Sequence, residues 1–302
     1  MMKAIPRAAA VLLLAGGSTL LTAGCAEPSA FEKMSRLERD IRLSANRESP
    51  GLKISLWLAE THGRELLALD ADRPVPGAST LKILILVEAH AQALSGTFRW
   101  ADEHTLVSGD IVGGTGSFQH EKIGSTWTFL QYARRMIAES DNTASNILLR
   151  RLGMDNVNQR AFKLGLQVTR FERTYMDFDA RRDGKENWTT AREMGQLMRA
   201  IFRREILTPE ACDEMIASLE RTSRGRIAAG VPKDVAVGHK SGSIAGLRHD
   251  VGWVRMAGRP YILSVFLDNI LEAPSEEGGD RGIAAIEAIA RRVYDAVGPT
   301  DE

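Results

Sequence analysis

The sequence predicts an α/β chain of the mixed α+β kind: an antiparallel five-stranded sheet flanked by helices, with an all-helical subdomain inserted between its strands. Strand-like runs fall only toward the two ends of the chain, at Leu52–Ala59 and Glu65–Asp70 and again at Val235–Lys240, Val251–Met256 and Tyr261–Leu267. Ser79 to Leu219 carries mainly helical periodicity. The first two strands are separated by Thr61-His62-Gly63-Arg64, a hairpin signal with Gly63 in the turn. Strands gathered from both ends around a helical block argue against alternating βαβ units. The sheet part spans about 30–75 and 225–302, and the helical part about 76–224.

The elements follow in order. Residues 1–25 read as a targeting segment: Lys3 and Arg7 make a positive start, and Ala8 to Leu21 is an apolar run too short for a comfortable membrane span. Leu21-Thr22-Ala23-Gly24-Cys25 resembles a bacterial lipobox with Thr22 where Leu is usual, which implies a lipid anchor on Cys25. Secretion after cleavage at Ala26 is the alternative, and either route places the globular part, 26–302, outside the cytoplasm, in the periplasm or cell envelope. Phe31 to Ala45 has helical spacing of Phe31, Met34, Leu37 and Ile41. Helices are then expected at Thr80–Ala93, Thr128–Glu139, Thr143–Leu152, Met154–Leu164, Thr190–Arg203 and Pro209–Leu219, with a closing helix from Arg281 to Val297. Val112 to Gly124 is a Gly-rich loop without a phosphate-binding pattern, expected at the edge of a site. Thr169 to Trp188 is a second long loop, and loops beyond about 12–15 residues in a compact domain usually serve function or lack order. The Arg pairs at Arg134, Arg150, Arg181, Arg203 and Arg291 read as solvated helix faces.

Composition narrows the function classes. The 302 residues are 44% hydrophobic and 26% charged, ordinary globular values. The 39 basic and 39 acidic residues cancel, so neither nucleic acid nor an anionic membrane surface is an expected partner. Cys25 and Cys212 form no metal pattern or disulfide framework, and lipidation of Cys25 leaves Cys212 unpaired. The six histidines have no ligand spacing and no nucleotide or flavin motif occurs, so no cofactor or metal is expected.

Three short motifs carry chemistry. In Ser79-Thr80-Leu81-Lys82, at the start of an apolar helix entered through Pro76-Gly77, residues three apart share a face, so the amine of Lys82 lies beside the hydroxyl of Ser79. A lysine with a lowered pKa can take the serine proton, and helix N-terminal N–H groups favour an oxyanion. Ser140-Asp141-Asn142 places a hydroxyl relay and an amide donor in a helix-capping turn. Lys240-Ser241-Gly242 ends a strand with a positive charge, a hydroxyl for a carboxylate, and a glycine that lets a substrate backbone approach. Each alone has a bland reading: a capped core helix, a doubly secured helix start, a polar turn.

Together and in this order, the set resembles the penicillin-recognising serine enzymes, closest to class A β-lactamases. The resemblance covers about residues 30 to 298 and implies a β-lactamase/transpeptidase-like fold with the site between the sheet and the helical subdomain. It implies that Ser79 attacks the β-lactam amide to form an acyl-enzyme, with the N–H groups of Ser79 and Ser243 as oxyanion hole. Lys82 then activates Ser79, Ser140 passes the proton to the leaving nitrogen, and Lys240 tunes that transfer. Asn142, Lys240, Ser241, Gly242, Ser243 and Arg226 are the implied substrate-binding set, Arg248 being the weaker choice for the arginine. β-Lactam antibiotics or related acyl-D-Ala-D-Ala-like compounds are the implied substrates, and a monomer is expected.

This sequence departs from that family at two places. The Glu-Pro-x-Leu-Asn run that holds the hydrolytic water is missing. Matching Val168-Thr169-Arg170-Phe171-Glu172-Arg173 to that loop sets Tyr175 in the place of the glutamate and Asp179 in the place of the asparagine. Asp179 is the expected replacement base, with Asp177 and Glu186 as alternatives, all of which also read as solvated charges or partners of Arg170 and Arg173. His239 stands where an acidic residue usually precedes the Lys-Ser-Gly. A penicillin-binding lipoprotein or slow DD-peptidase-like enzyme that deacylates poorly is therefore the alternative function.

Overall fold

The computed structural model describes residues 29–48, 51–270 and 280–298. The expected lipidation site, Cys25, lies outside the described residues. The chain runs α1 (Ala30–Glu48), β1 (Lys53–Glu60), β2 (Glu65–Leu69), β3 (Val75–Pro76), α2 (Lys82–Leu94), β4 (Glu103–Thr105), β5 (Thr126–Thr128), α3 (Phe129–Ala138), α4 (Asn142–Leu152) and α5 (Met154–Lys163). It continues through α6 (Phe178–Arg182), β6 (Trp188–Thr189), α7 (Ala191–Phe202), α8 (Pro209–Glu220), β7 (Val237–Ile244), β8 (Leu247–Val254), β9 (Tyr261–Asp268) and α9 (Arg281–Val297).

The main sheet has five strands in the order β2-β1-β9-β8-β7, every neighbour antiparallel. β9 lies at its centre and is covered on both faces, which is why Tyr261 to Leu267 is an almost unbroken apolar run. One face packs on α1 and α9 through Leu37, Ile41, Leu56, Leu58, Val265, Ile286 and Val293. The other carries Trp57, Trp253, Ile262 and Phe266 into a core shared with the helical block. α2 runs through the middle of that block and is buried from Lys82 to Ala91. Apolar residues all round a helix signify burial on every side, and the lysine at its first position is fully buried with them. β3 pairs with β6, tying Trp188–Thr189 to the strand that leads into α2.

The last hairpin differs from the sequence expectation. β7 extends to Ile244 and β8 starts at Leu247, where strands ending at Lys240 and starting at Val251 were expected. Ser241, Ser243, Arg248, His249 and Asp250 break the apolar pattern yet pair in register, Ser241 with Asp250 and Ser243 with Arg248. Their polarity belongs to the cleft and to the support beneath it.

Candidate active site

The nucleophile segment is a 3₁₀ turn, Ala78–Leu81, that feeds α2 without a side-chain cap. Ala78 takes a left-handed φ of 45° to make the corner. Gly77 N donates to Asn187 O at 2.8 Å, and Thr80 Oγ1 donates to Gly77 O at 2.6 Å, so the turn is fixed on both sides. Ser79 is half-buried and lines an open cleft of about 250 Å³. Lys82 Nζ donates to Asn142 Oδ1 at 2.9 Å, to Ser140 O at 2.5 Å and to Ser140 Oγ at 3.3 Å. Burial strips the ammonium of water and Lys240 adds a like charge. Asp141 offsets these in part, and the pKa of Lys82 stays well below the usual lysine value.

Ser140 is held at a left-handed φ of 56° between α3 and α4. Its Oγ is 3.0 Å from Lys240 Nζ as well as 3.3 Å from Lys82 Nζ, so one hydroxyl bridges two amines. Asp141 caps α4 by accepting from Ala144 N at 2.8 Å, and also accepts from Phe118 N at 2.8 Å. A cap of this kind contributes about 1–2 kcal/mol, and here it fastens the Gly-rich loop to the same helix. Asn142 Nδ2 donates to Gly113 O at 3.1 Å. At Gly114 a Cβ would fall 2.6 Å from Asn142 Nδ2 and the φ is 92°, so only glycine lets the loop lie on that amide. Gly114 and Thr115 line the cleft, as expected for a loop at a site edge.

β7 supplies the strand wall. Lys240 is buried, which lowers its pKa to about 7; Asp250 works against that shift and Arg226 with it. A Cβ on Gly242 would lie 3.1 Å from Ser79 N, so the strand passes directly beside the nucleophile's own N–H. Arg226, at a left-handed φ of 53°, donates from Nη2 to Ser243 Oγ at 2.6 Å and from Nη1 to Gly242 O at 2.8 Å. Arg248 instead pairs with Asp280, and of the two arginine candidates it is Arg226 that lines the cleft. His239 Nδ1 meets Asp250 Oδ1 at 2.9 Å, and Asp250 Oδ2 accepts from Ile227 N at 3.0 Å. Burial disfavours the imidazolium, but the Asp250 carboxylate outweighs it and raises the pKa of His239. The histidine in the place of an acid thus anchors the turn that presents Arg226.

The long loop brings Tyr175 to the cleft and leaves Asp179 out. Tyr175 N donates to Asn146 Oδ1 at 2.8 Å and Asn146 Nδ2 donates to Tyr175 O at 3.0 Å, which clamps the backbone from both sides. Lys82 Nζ sits 4.6 Å from the centre of the Tyr175 ring, and burial raises the phenol pKa above its ordinary value. Asp179 is 84% exposed and paired with Arg182 at 2.6 Å. It lies within the single turn of α6, whose other face, Phe178 and Arg181, is the one that lines the cleft. The expectation that Asp179 takes the place of the missing glutamate is thereby corrected. Asp177 caps α6 through Ala180 N at 3.0 Å. Glu186 does line the cleft, but Arg173 Nη2 at 2.7 Å, Asn187 N at 2.8 Å and Arg181 Nε at 3.3 Å hold its oxygens.

Sequence reasoning missed Asn146, Asn187, Phe178 and Arg181. Asn146 carried a signal, an amide in the otherwise apolar stretch Thr143–Leu152. By its sequence Arg181 reads as part of a solvated face, as does Arg150, which in fact pairs with Asp110. Four of the eight non-glycine residues with positive φ among the described residues, Ala78, Ser140, Met176 and Arg226, line this one cleft. Such strain concentrates at sites that need fixed geometry. Among the described residues no group of three or more His, Cys, Asp or Glu could hold a metal ion.

The chain is similar to known proteins over most of its length. The profile described as the "Beta-lactamase enzyme family" matches residues 36–297. The β-lactamase AST-1 of Nocardia asteroides is 28% identical over 268 residues, 86% of this chain and 84% of that protein. A β-lactamase of Bacillus licheniformis is 25% identical over 276 residues, 86% of this chain and 87% of its own. Among solved structures PBP-A superposes with a TM-score of 0.77 at 29% identity, over 87% of this chain and 96% of that one. A PBP-A mutant in an acyl-enzyme complex with penicillin G matches with the same score. An ancestral class A β-lactamase also gives 0.77, at 25% identity over 86% of this chain and 99% of that one. With the family profile spanning both the sheet and the helical block, the chain belongs to the β-lactamase enzyme family.

Proposed function

We propose that the protein hydrolyses β-lactams through an acyl-enzyme on Ser79. The observation that carries this reading is the Ser140 hydroxyl held between two buried amines, Lys82 at 3.3 Å and Lys240 at 3.0 Å. A neutral Lys82 accepts the Ser79 proton as Oγ attacks the lactam carbonyl, and Ser140 delivers its own proton to the nitrogen as the C–N bond breaks, regaining one from the Lys82 ammonium 3.3 Å away. The N–H groups of Ser79 and Ser243 receive the oxyanion. Asn142 donates to the acyl amide of the substrate. Lys240, Ser241, Ser243 and Arg226 take its carboxylate, and Gly242 leaves room for the substrate beside the outer strand. A monomer is part of the same proposal.

A second reading, slow release as in a penicillin-binding or DD-peptidase-like enzyme, is favoured by Tyr175. A neutral phenol occupies the place expected of a carboxylate, and Glu186 is already held by two arginines. Intact mass measured from seconds to hours after mixing with benzylpenicillin separates the two. An adduct that decays as penicilloate accumulates supports hydrolysis, and a persistent adduct supports slow release. Absence of both adduct and product defeats the β-lactam reading.

The pH dependence has a definite sign. Burial lowers the pKa of Lys240 to about 7, so it is charged below and neutral above pH 7. If its charge draws the substrate carboxylate, kcat/KM for acylation falls as the pH rises past about 7, since that ratio reports the free enzyme. Lys240→Arg keeps the charge and is expected to remove the falling limb; a limb that persists in that variant rules out Lys240 as its source.

Export and a lipid anchor on Cys25 are part of the same proposal, supported by the charged, apolar and small-residue order of residues 1–25. Cys25→Ala is expected to move the protein from the membrane fraction to the soluble fraction, and an unchanged distribution refutes the anchor. Consumption of β-lactams outside the cytoplasm would give the cell resistance to them.

A further inference from the structure

The long loop presents to the cleft a charge that the acylation chemistry does not use. Arg173 and Glu186 form a pair at 2.7 Å with both side chains only 10% exposed, closing the neck of the loop. Arg181 reaches the same carboxylate more distantly, Nε to Oε2 at 3.3 Å, and its side chain stays 42% exposed. Two guanidinium groups thus share one carboxylate, and a net positive charge faces the cleft. Phe178, three residues earlier on the same turn of α6, lines the cleft beside Arg181 and is 52% exposed. An apolar ring next to a partly paired cation differs from the strand wall, where Arg226 stands among polar groups, Ser243 Oγ and Gly242 O.

We propose that Phe178 and Arg181 form an acyl side-chain subsite selective for acyl donors that carry a carboxylate on an apolar side chain. The proposal rests on the acyl-enzyme reading and adds the substrate class. The ring receives the apolar body of the acyl group and the free edge of the Arg181 guanidinium pairs with its carboxylate, the second negative charge of the substrate. Arg226, Lys240 and the strand hydroxyls take the first. Glu186 orients Arg181 without neutralising it, because Arg173 already commits that carboxylate. A charge-assisted contact of this kind on a half-exposed arginine is expected to change affinity by about five- to tenfold.

Two penicillins that differ by a single carboxylate test it: benzylpenicillin and α-carboxybenzylpenicillin. The quantity read is the ratio of their second-order acylation constants, carboxybenzyl over benzyl, so intrinsic reactivity cancels when the ratio is compared between variants. The ratio is expected to fall about five- to tenfold in Arg181→Gln and to be largely kept in Arg181→Lys, a rescue that a purely structural arginine would not show. It is also expected to shrink between low and high salt in the unaltered protein, as for a solvent-reached ion pair. A ratio that Arg181→Gln leaves unchanged overturns the subsite while the acyl-enzyme reading stands. Acylation by neither compound overturns the acyl-enzyme reading itself and the substrate class with it.

Discussion

Ser79→Ala is expected to abolish the covalent adduct with benzylpenicillin and to lower hydrolysis by about 10⁴-fold or more, with the thermal melt essentially unchanged. Ser79 is half-buried at the cleft, and the hydrogen bonds that hold its turn run from Gly77 N and Thr80 Oγ1, so removing Oγ leaves the scaffold intact. Groups that act as a unit do not add. Lys82→Ala is therefore expected to cost a similar factor, and Ser79→Ala/Lys82→Ala no more than either alone. The measurements are mass-resolved labelling and steady-state nitrocefin hydrolysis. Residual labelling of Ser79→Ala at the unaltered rate would assign the nucleophile elsewhere.

Tyr175→Glu is expected to shorten the lifetime of the acyl-enzyme by about 10²-fold, the lower range for a positioned general base. The Asn146 clamp acts on the backbone of residue 175 and does not depend on its side chain, so a glutamate leaves the loop from the same point. Its carboxylate enters the space now filled by the phenol ring beneath Lys82. It also gives the buried ammonium a counter-charge that raises the lysine pKa, so acylation is expected to slow while deacylation speeds up. Tyr175→Phe is the control. Burial keeps the phenol protonated, and its OH reaches Ala78 O only at 3.4 Å, so its loss is expected to change turnover little. An adduct lifetime unaffected by the glutamate, or turnover lost in Tyr175→Phe, contradicts this account of the cleft floor.

Much of the site was legible in the sequence because its motifs are local. Ser79 and Lys82 are one helical turn apart, Ser140 and Asn142 flank one cap, and Lys240 to Ser243 follow one another on one strand. The fold was legible because apolar periodicity changes along the chain where the architecture changes. What sequence reasoning could not place depends on how a loop folds back. Counting residues along Thr169–Trp188 assigned Asp179 to the cleft, but one turn of helix rotates it to solvent and turns Arg181 inward. The partners of Asn146, Asn187 and Arg173 lie 29, 110 and 13 residues away, at Tyr175, Gly77 and Glu186, and no periodicity announces such pairs. His239 read as a departure because its carboxylate partner is on the adjacent strand.

The sheet order has a consequence for how the molecule is made. β9, near the end of the chain, lies between β1 and β8, so the N-terminal hairpin of β1 and β2 has no neighbour on its inner side until the last strand arrives. A lone two-stranded hairpin is marginal in water, and closing a loop that encloses the whole helical block is slow. A growing chain therefore cannot complete its sheet strand by strand as it emerges: the architecture makes β9 the keystone, and closure of the sheet a single late event.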